Sequence, residues 1–186
     1  QDFLHPKLTI SASGIMPLAL VQALYPLPEI EAINGTAKLK LNGQFAQQDQ
    51  QQWKTKQMSG SLRLQANYIQ TTALQKRFTS FFGDISLQND DLFINQIKAQ
   101  LGSSSFELRG ELPDVVKSYT QNGLQQINGV LKADRINWTD LDTKPSSNKR
   151  EWLLPAGIEM TMPFEINTLI YDRKAFKKVK GALAIH

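Results

Sequence analysis

The sequence predicts a mainly β fold, in which long antiparallel strands form a curved, groove-like or sandwich sheet accompanied by two short helices. Three observations lead there. Almost every periodic stretch alternates apolar and polar residues with a period of two, the pattern of a strand with one buried and one wet face. Residues 91–112, DLFINQIKAQLGSSSFELRGEL, spell out a hairpin. Phe106, Leu108, Gly110 and Leu112 share one parity, and Phe93, Ile97, Ala99 and Leu101 form a matching run broken only by Asn95. Gly102-Ser103 between them suits a type II′ turn, whose first position needs a positive φ. Finally, one strand opening (apolar, polar, Gly, small, apolar, any, apolar) recurs at irregular intervals, beginning at Ile33, Met58, Ile127 and Val179. Its Gly lies on the apolar face, where it permits a bend or the close approach of another backbone.

Closing the hairpin on Gly102-Ser103 sets Ala99 opposite Phe106, Ile97 opposite Leu108 and Phe93 opposite Leu112, with Lys98 opposite Glu107 on the wet face. A slip of one residue would set apolar side chains against polar ones.

Taken in order, Leu8, Ile10 and Ala12 alternate with Thr9, Ser11 and Ser13 in a short strand that Gly14 ends. Residues 17–25 form the first helix, with Pro17 in its first position and Pro26 and Pro28 stopping it. Strands follow at the first two copies of the repeated opening, separated by a polar Gln-rich loop, QQDQQQ. Residues 77–87 make another strand, with Gly83 as a bulge, and residues 88–91 turn into the hairpin. The second helix starts at Pro113-Asp114, capped by Asp114 and closed by Gly123. Residues 127–141 read as one long strand, with Trp138 facing in after a change of parity. Residues 142–150, DTKPSSNKR, are a polar linker. The alternation of Ile158, Met160, Met162, Phe164 and Ile166 then marks a strand that turns at Arg173-Lys174 into the last one. The domain reading is a β-rich unit over 1–141, the linker over 142–150, and the start of a further hairpin unit over 151–186. A beginning at Gln1 and an end inside a strand-like run suggest a fragment of a larger protein.

Composition excludes several function classes. Hydrophobic residues make up 41% of the 186, the level of a folded chain rather than a disordered one. Lys plus Arg number 21 against 17 Asp plus Glu, a net +4, without the basic stripe and interleaved aromatics of a nucleic-acid binder. The one basic cluster, RKAFKKVK at 173–180, reads as a solvated strand face or edge guard, with contact to anionic lipid head groups as the alternative. There is no Cys and there are two His, His5 and His186, so thiolate chemistry is absent and no His stands among partners for a metal site or a triad. The serines after Gly102 are turn residues. No cofactor and no enzymatic activity are expected.

In this order the elements resemble the AsmA-like family of Gram-negative envelope proteins. The strand ending in Gly102-Ser103-Ser104, the FELRGEL strand, a short segment with Tyr119, the strand from Ile127 and the closing Phe176-x-x-Val179-x-Gly181-x-Leu183 all match the family's repeated unit. The likeness spans residues 33–186. It implies a non-enzymatic periplasmic segment of a protein anchored to the inner membrane outside this sequence, similar to TamB and to bridge-like lipid-transfer proteins. Such a segment would bind or conduct phospholipid or another acyl lipid along an apolar β-sheet groove in outer-membrane biogenesis. Groove-facing candidates are Leu39, Leu41, Leu62, Leu64, Ile97, Phe106, Leu108, Leu131, Leu183 and Ile185. The alternative is a structural β-sandwich module of the cell envelope that meets an envelope protein partner through an edge strand.

Overall fold

Period-two alternation becomes strand throughout. The computed structural model describes residues 6–48, 52–115, 125–142 and 158–185. Strand β1 (Lys7–Pro17) leads into helix α1 (Leu18–Leu24), followed by β2 (Ile30–Gln48), β3 (Gln52–Thr71), β4 (Phe78–Gln88), β5 (Asp91–Leu101) and β6 (Ser104–Leu112). Then come β7 (Gln125–Asn137), a 3-10 turn (Trp138–Leu141), β8 (Ile158–Tyr171) and β9 (Lys174–Ile185). All the described strands join one sheet in chain order, with β1 and β9 as its free edges. The fold is mainly β, as expected, and it is a single open sheet that does not close into a barrel.

The expectation of antiparallel strands throughout is corrected at one place: β7 and β8 are parallel. A parallel pair needs a connection of a dozen or more residues to return the chain to the starting edge. Residues 142–157 provide that length, and an Asp-Thr-Lys-Pro run gives no sign of which way the return goes. The hairpin β8–β9 therefore joins the same sheet as β1–β7.

The central hairpin keeps the expected register near its turn, with Ala99 opposite Phe106, Ile97 opposite Leu108 and Lys98 opposite Glu107. Gly102 takes φ +57 and Ser103 is not among the positive-φ residues, as a type II′ turn requires. Further from the turn the register shifts by one. Leu92, not Phe93, faces Leu112, because β5 carries an extra residue between Ile94 and Ile97. The same bulge shifts β5 against β4. Its effect is to return Leu92 and Ile94 to the apolar face and to leave Asn95 on the wet one. There the Asn95 amide donates to Asp84 Oδ1 at 3.3 Å and to Ser86 Oγ at 3.2 Å. The bulge thus sits at Asn95 rather than at Gly83. The β4–β5 turn has Asn89 and Asp90 both at positive φ, and the β8–β9 turn has Asp172 and Arg173 likewise, the requirement of type I′ hairpins.

Two helical expectations change. The strand expected over 127–141 stops at Asn137, whose side chain accepts from the Thr139 amide at 3.3 Å and starts the 3-10 turn. Trp138 is not turned inward but exposed, edge-on to Tyr171 with ring centroids 5.8 Å apart. Of the second helix expected from Pro113, residues 116–124 lie outside the described residues. Asp114, expected to cap it, has φ +50 and donates its amide to Asp91 Oδ1 at 2.9 Å. Helix α1 forms where expected, but Pro17 is its extended N-cap rather than its first residue, and β1 runs past Gly14 to Pro17. Leu18 is buried on Ala37, Ala66 and Ile69, a burial worth about 2 kcal/mol. The Gln22 amide ties the helix to the start of β2 by donating to the Ile30 carbonyl at 3.0 Å.

The other fixed point is Asp140 in the 3-10 turn, 1% exposed. Its Oδ2 accepts from the Ser103 amide at 2.8 Å, the Ser103 hydroxyl at 2.9 Å and the Ser104 hydroxyl at 2.8 Å, while Oδ1 takes an ion pair from Lys76. Ser104, fully buried, accepts in turn from the Asn137 amide at 2.8 Å. A Cβ on Gly102 would stand 2.7 Å from the carboxylate, so the turn glycine also lets the loop close on Asp140. One side chain thus joins the β3–β4 connection, the β5–β6 turn and the end of β7. Burial pushes the Asp140 carboxyl up, but the Lys76, Ser104 and Ser103 bonds together outweigh it and hold it at about 2.

We expect Asp140→Ala to lower the unfolding free energy by about 3 kcal/mol, since it strands the buried Ser104 hydroxyl and the Ser103 amide; urea denaturation measures this. Because the carboxyl is depressed from 3.8 to about 2, its stabilisation is fully present above pH 3.8. A contribution of about 2 kcal/mol is lost as the pH falls through 2. The acid limb of the native stability curve should therefore flatten in Asp140→Asn.

Candidate functional site: the apolar sheet face

Cross-strand registers place the apolar parity of every strand on one face. One line runs straight across all nine: Met16, Ala37, Leu64, Gly83, Ile97, Leu108, Leu131, Phe164 and Gly181, each opposite the next. At about 4.8 Å between neighbours this line is roughly 38 Å long. A second passes through Gly14, Leu39, Leu62, Ile85, Ile94, Gly110 and Gly129. Glycines punctuate both lines. At Gly181 the Phe164 ring lies where a side chain would be, 2.5 Å from an ideal Cβ. At Gly35, the first glycine of the repeated opening, φ is +148 and a Cβ would meet the Gln65 carbonyl oxygen at 2.1 Å. This glycine carries the β2–β3 register shift next to Asn34.

The sequence-predicted candidates fall on this face. Leu39, Leu41, Leu62, Leu64, Ile97, Phe106, Leu108 and Leu131 are all half-buried. Leu183 is 44% exposed near the free edge. Ile185 pairs with Met160 at the end of β9, and its side chain lies outside the described residues. Two apolar clusters are buried on the face. One is beneath α1 around Ala37, Ala66 and Ile69, and the other is around Ala133, Ile136 and Ile166. Between them the face has no second layer among the described residues.

Ala133 and Ile136 are three apart in β7 yet pack in one cluster, and their β8 partners Ile166 and Leu169 do the same. The two strands change parity together at Asp134 and Asn167, whose side chains are bonded at 3.1 Å. At the same level of β9, Lys178 takes φ +54.

The opposite face is held by charge. Lys98, Glu107, Lys132, Glu165 and Lys180 stand opposite one another in alternating sign across β5 to β9. The Lys180–Glu165 pair is at 2.7 Å and Lys98–Glu107 at 3.9 Å. Glu107 is lowered below its usual range, chiefly by the Gln96 and Arg109 bonds, and Glu165 chiefly by Lys180. On β3–β4, Arg63 pairs with Asp84 at 2.6 Å. A concavity of about 560 Å³ opens on this face among Lys98, Glu107, Lys132, Asp134 and Glu165, three carboxylates against two lysines.

Sequence reasoning missed the Asp140 cluster. Gly102-Ser103-Ser104 was legible as a turn, but nothing marked a lone Asp in Trp-Thr-Asp-Leu as its partner. Among the described residues no group of three or more His, Cys, Asp or Glu could hold a metal, and no helix is long and apolar enough to cross a membrane. Comparison of the chain with family models, with curated proteins and with solved structures found no match.

Gly181→Val should displace the Phe164 ring and cost about 1–3 kcal/mol. A lowered urea midpoint with an unchanged m-value would register it.

Proposed function

We propose that this chain is a lipid-binding segment of an AsmA-like envelope protein. It holds the acyl chains of phospholipid or a similar lipid against the apolar face of its sheet, within the periplasm and in the service of outer-membrane biogenesis. The observation that carries the reading is the apolar line across nine strands, which α1 covers at Ala37 and which has no second layer over it from β4 onward among the described residues. Its length, roughly 38 Å, exceeds the ~15 Å of hydrocarbon in one bilayer leaflet, so an acyl chain finds apolar contact along its whole extent. Each methylene transferred from water to such a surface gains about 0.8 kcal/mol. Aliphatic side chains offer no directional bonds, so a lipid can occupy successive positions at similar free energy, which is what conduction along a groove requires. No catalytic group takes part. The resemblance in motif order over residues 33–186 supports the same reading and supplies its compartment and its membrane anchor, which would lie outside this sequence.

The purified chain should carry phospholipid or fatty acid, detected by native mass spectrometry and by extraction. Leu108→Glu and Leu131→Glu, both at the middle of the line, should lose that lipid while circular dichroism keeps the β signal. A folded chain that takes up no lipid when mixed with it would sink the proposal and leave the sheet as a structural module.

A further inference from the structure

The two rims of the sheet differ. At one, the ends of β3, β5, β7 and β8 meet α1, the 3-10 turn and the β8–β9 turn. Six of the twelve large hydrophobic side chains exposed among the described residues are there: Leu20, Leu24, Tyr25, Leu27, Trp138 and Tyr171. Leu20 and Leu24 are four apart on α1 and so share one side of it, while Leu18 packs inward. Leu24 is 76% exposed and Tyr25 73%. No charged residue occurs from Leu8 to Pro28. At the other rim the described connections, Gln88–Asp91 and the Pro113-Asp114 segment, carry no exposed large hydrophobic, and only Leu8 near the start of β1 and Leu183 near the end of β9 are exposed close to it among the described residues.

We propose that the rim bearing α1 docks on a lipid bilayer. Leu20, Leu24 and Tyr25 enter the interfacial zone, and Trp138 and Tyr171 make a second contact at the far side of the sheet. Trp and Tyr favour that zone because an apolar ring and a polar tip match its two sides. The exposed groups are strung along the rim from α1 to the β8–β9 turn rather than gathered in one patch, a distribution that fits a planar fluid surface better than a compact protein. Charge is balanced there, with Arg77, Arg173 and Lys174 against Glu29, Asp142 and Asp172, so insertion rather than attraction to anionic head groups drives binding. Because Leu18 of the same helix packs on the sheet, the inserted tip is continuous with the apolar face. Rim docking needs no lipid on that face and stands apart from the acyl-binding proposal.

Vesicle flotation of the 186-residue chain tests it. The chain should float with phosphatidylcholine vesicles at low and high salt alike. The Leu20→Glu/Leu24→Glu double variant should lose about tenfold or more in partitioning, and Val130→Glu, exposed opposite Arg109 on the charged face, should float as the native chain does. As the chain has no Cys, a polarity-sensitive dye on Leu24→Cys should shift to the blue when vesicles are added, and one on Asn89→Cys at the opposite rim should not. The proposal is overturned if the native chain does not float, or if the Leu24→Cys dye stays unshifted. It also falls if flotation requires anionic lipid and vanishes in salt. A native chain that floats but extracts without bound lipid keeps this proposal and ends the acyl-binding one.

Discussion

A sheet one layer thick depends on the phase of its strands. Here a slip of one residue would move a strand's apolar set to the charged face, with nothing among the described residues to receive it. The apolar parity is shared across all nine strands, and two of its local departures show how the face is preserved. The extra residue at Asn95 brings Leu92 and Ile94 back to the apolar side. The joint step at Asp134 and Asn167 keeps Ile136 and Leu169 in the same cluster as Ala133 and Ile166. In each case a polar side chain stands at the irregularity and is bonded on the wet face.

Phase alone does not fix where the sheet ends. The rim is set by α1 over β2 and β3 and by Asp140 beneath the β5–β6 turn. The second is the more demanding, since a buried carboxylate persists only when its bonds outweigh its desolvation. Two serines, one backbone amide and Lys76 meet that condition at Asp140. Local turn chemistry and long-range assembly are therefore the same event at Gly102-Ser103-Ser104.

Alternation made the strands, the shared face and most turns legible in the sequence, because side-chain period and β geometry are one constraint. The hairpin register was legible near Gly102, where the turn sets it, and lost beyond Asn95. The break in parity there was visible, but whether it meant a bulge or a polar residue facing inward depends on the neighbouring strands. The parallel β7–β8 pair was hidden for a different reason. Chain direction after Leu141 is a matter of long-range assembly, and the polar linker over 142–150 suits either a hairpin or a return to the starting edge. The 3-10 turn depends on two bonds from Thr139 to the Asn137 side chain and on Asp140 finding its serines, more than thirty positions away, a contact that no local pattern records.

The two faces stabilise the sheet by different physics. On the charged face, alternating Lys and Glu across β5 to β9 favour one register, since a slip breaks the whole series of opposite-charge pairs; the pairs are exposed and individually weak. On the other face the contacts are aliphatic and nearly indifferent to position, interrupted by glycines that keep it low between larger residues. Register is thus specified where directional interactions are available, leaving the apolar face free of polar groups. Such a face remains partly hydrated in a one-layer sheet, so covering it with hydrocarbon lowers the free energy without asking the sheet to rearrange. An occupant with no fixed register of its own, as an acyl chain is, suits a surface whose order is imposed from its opposite side.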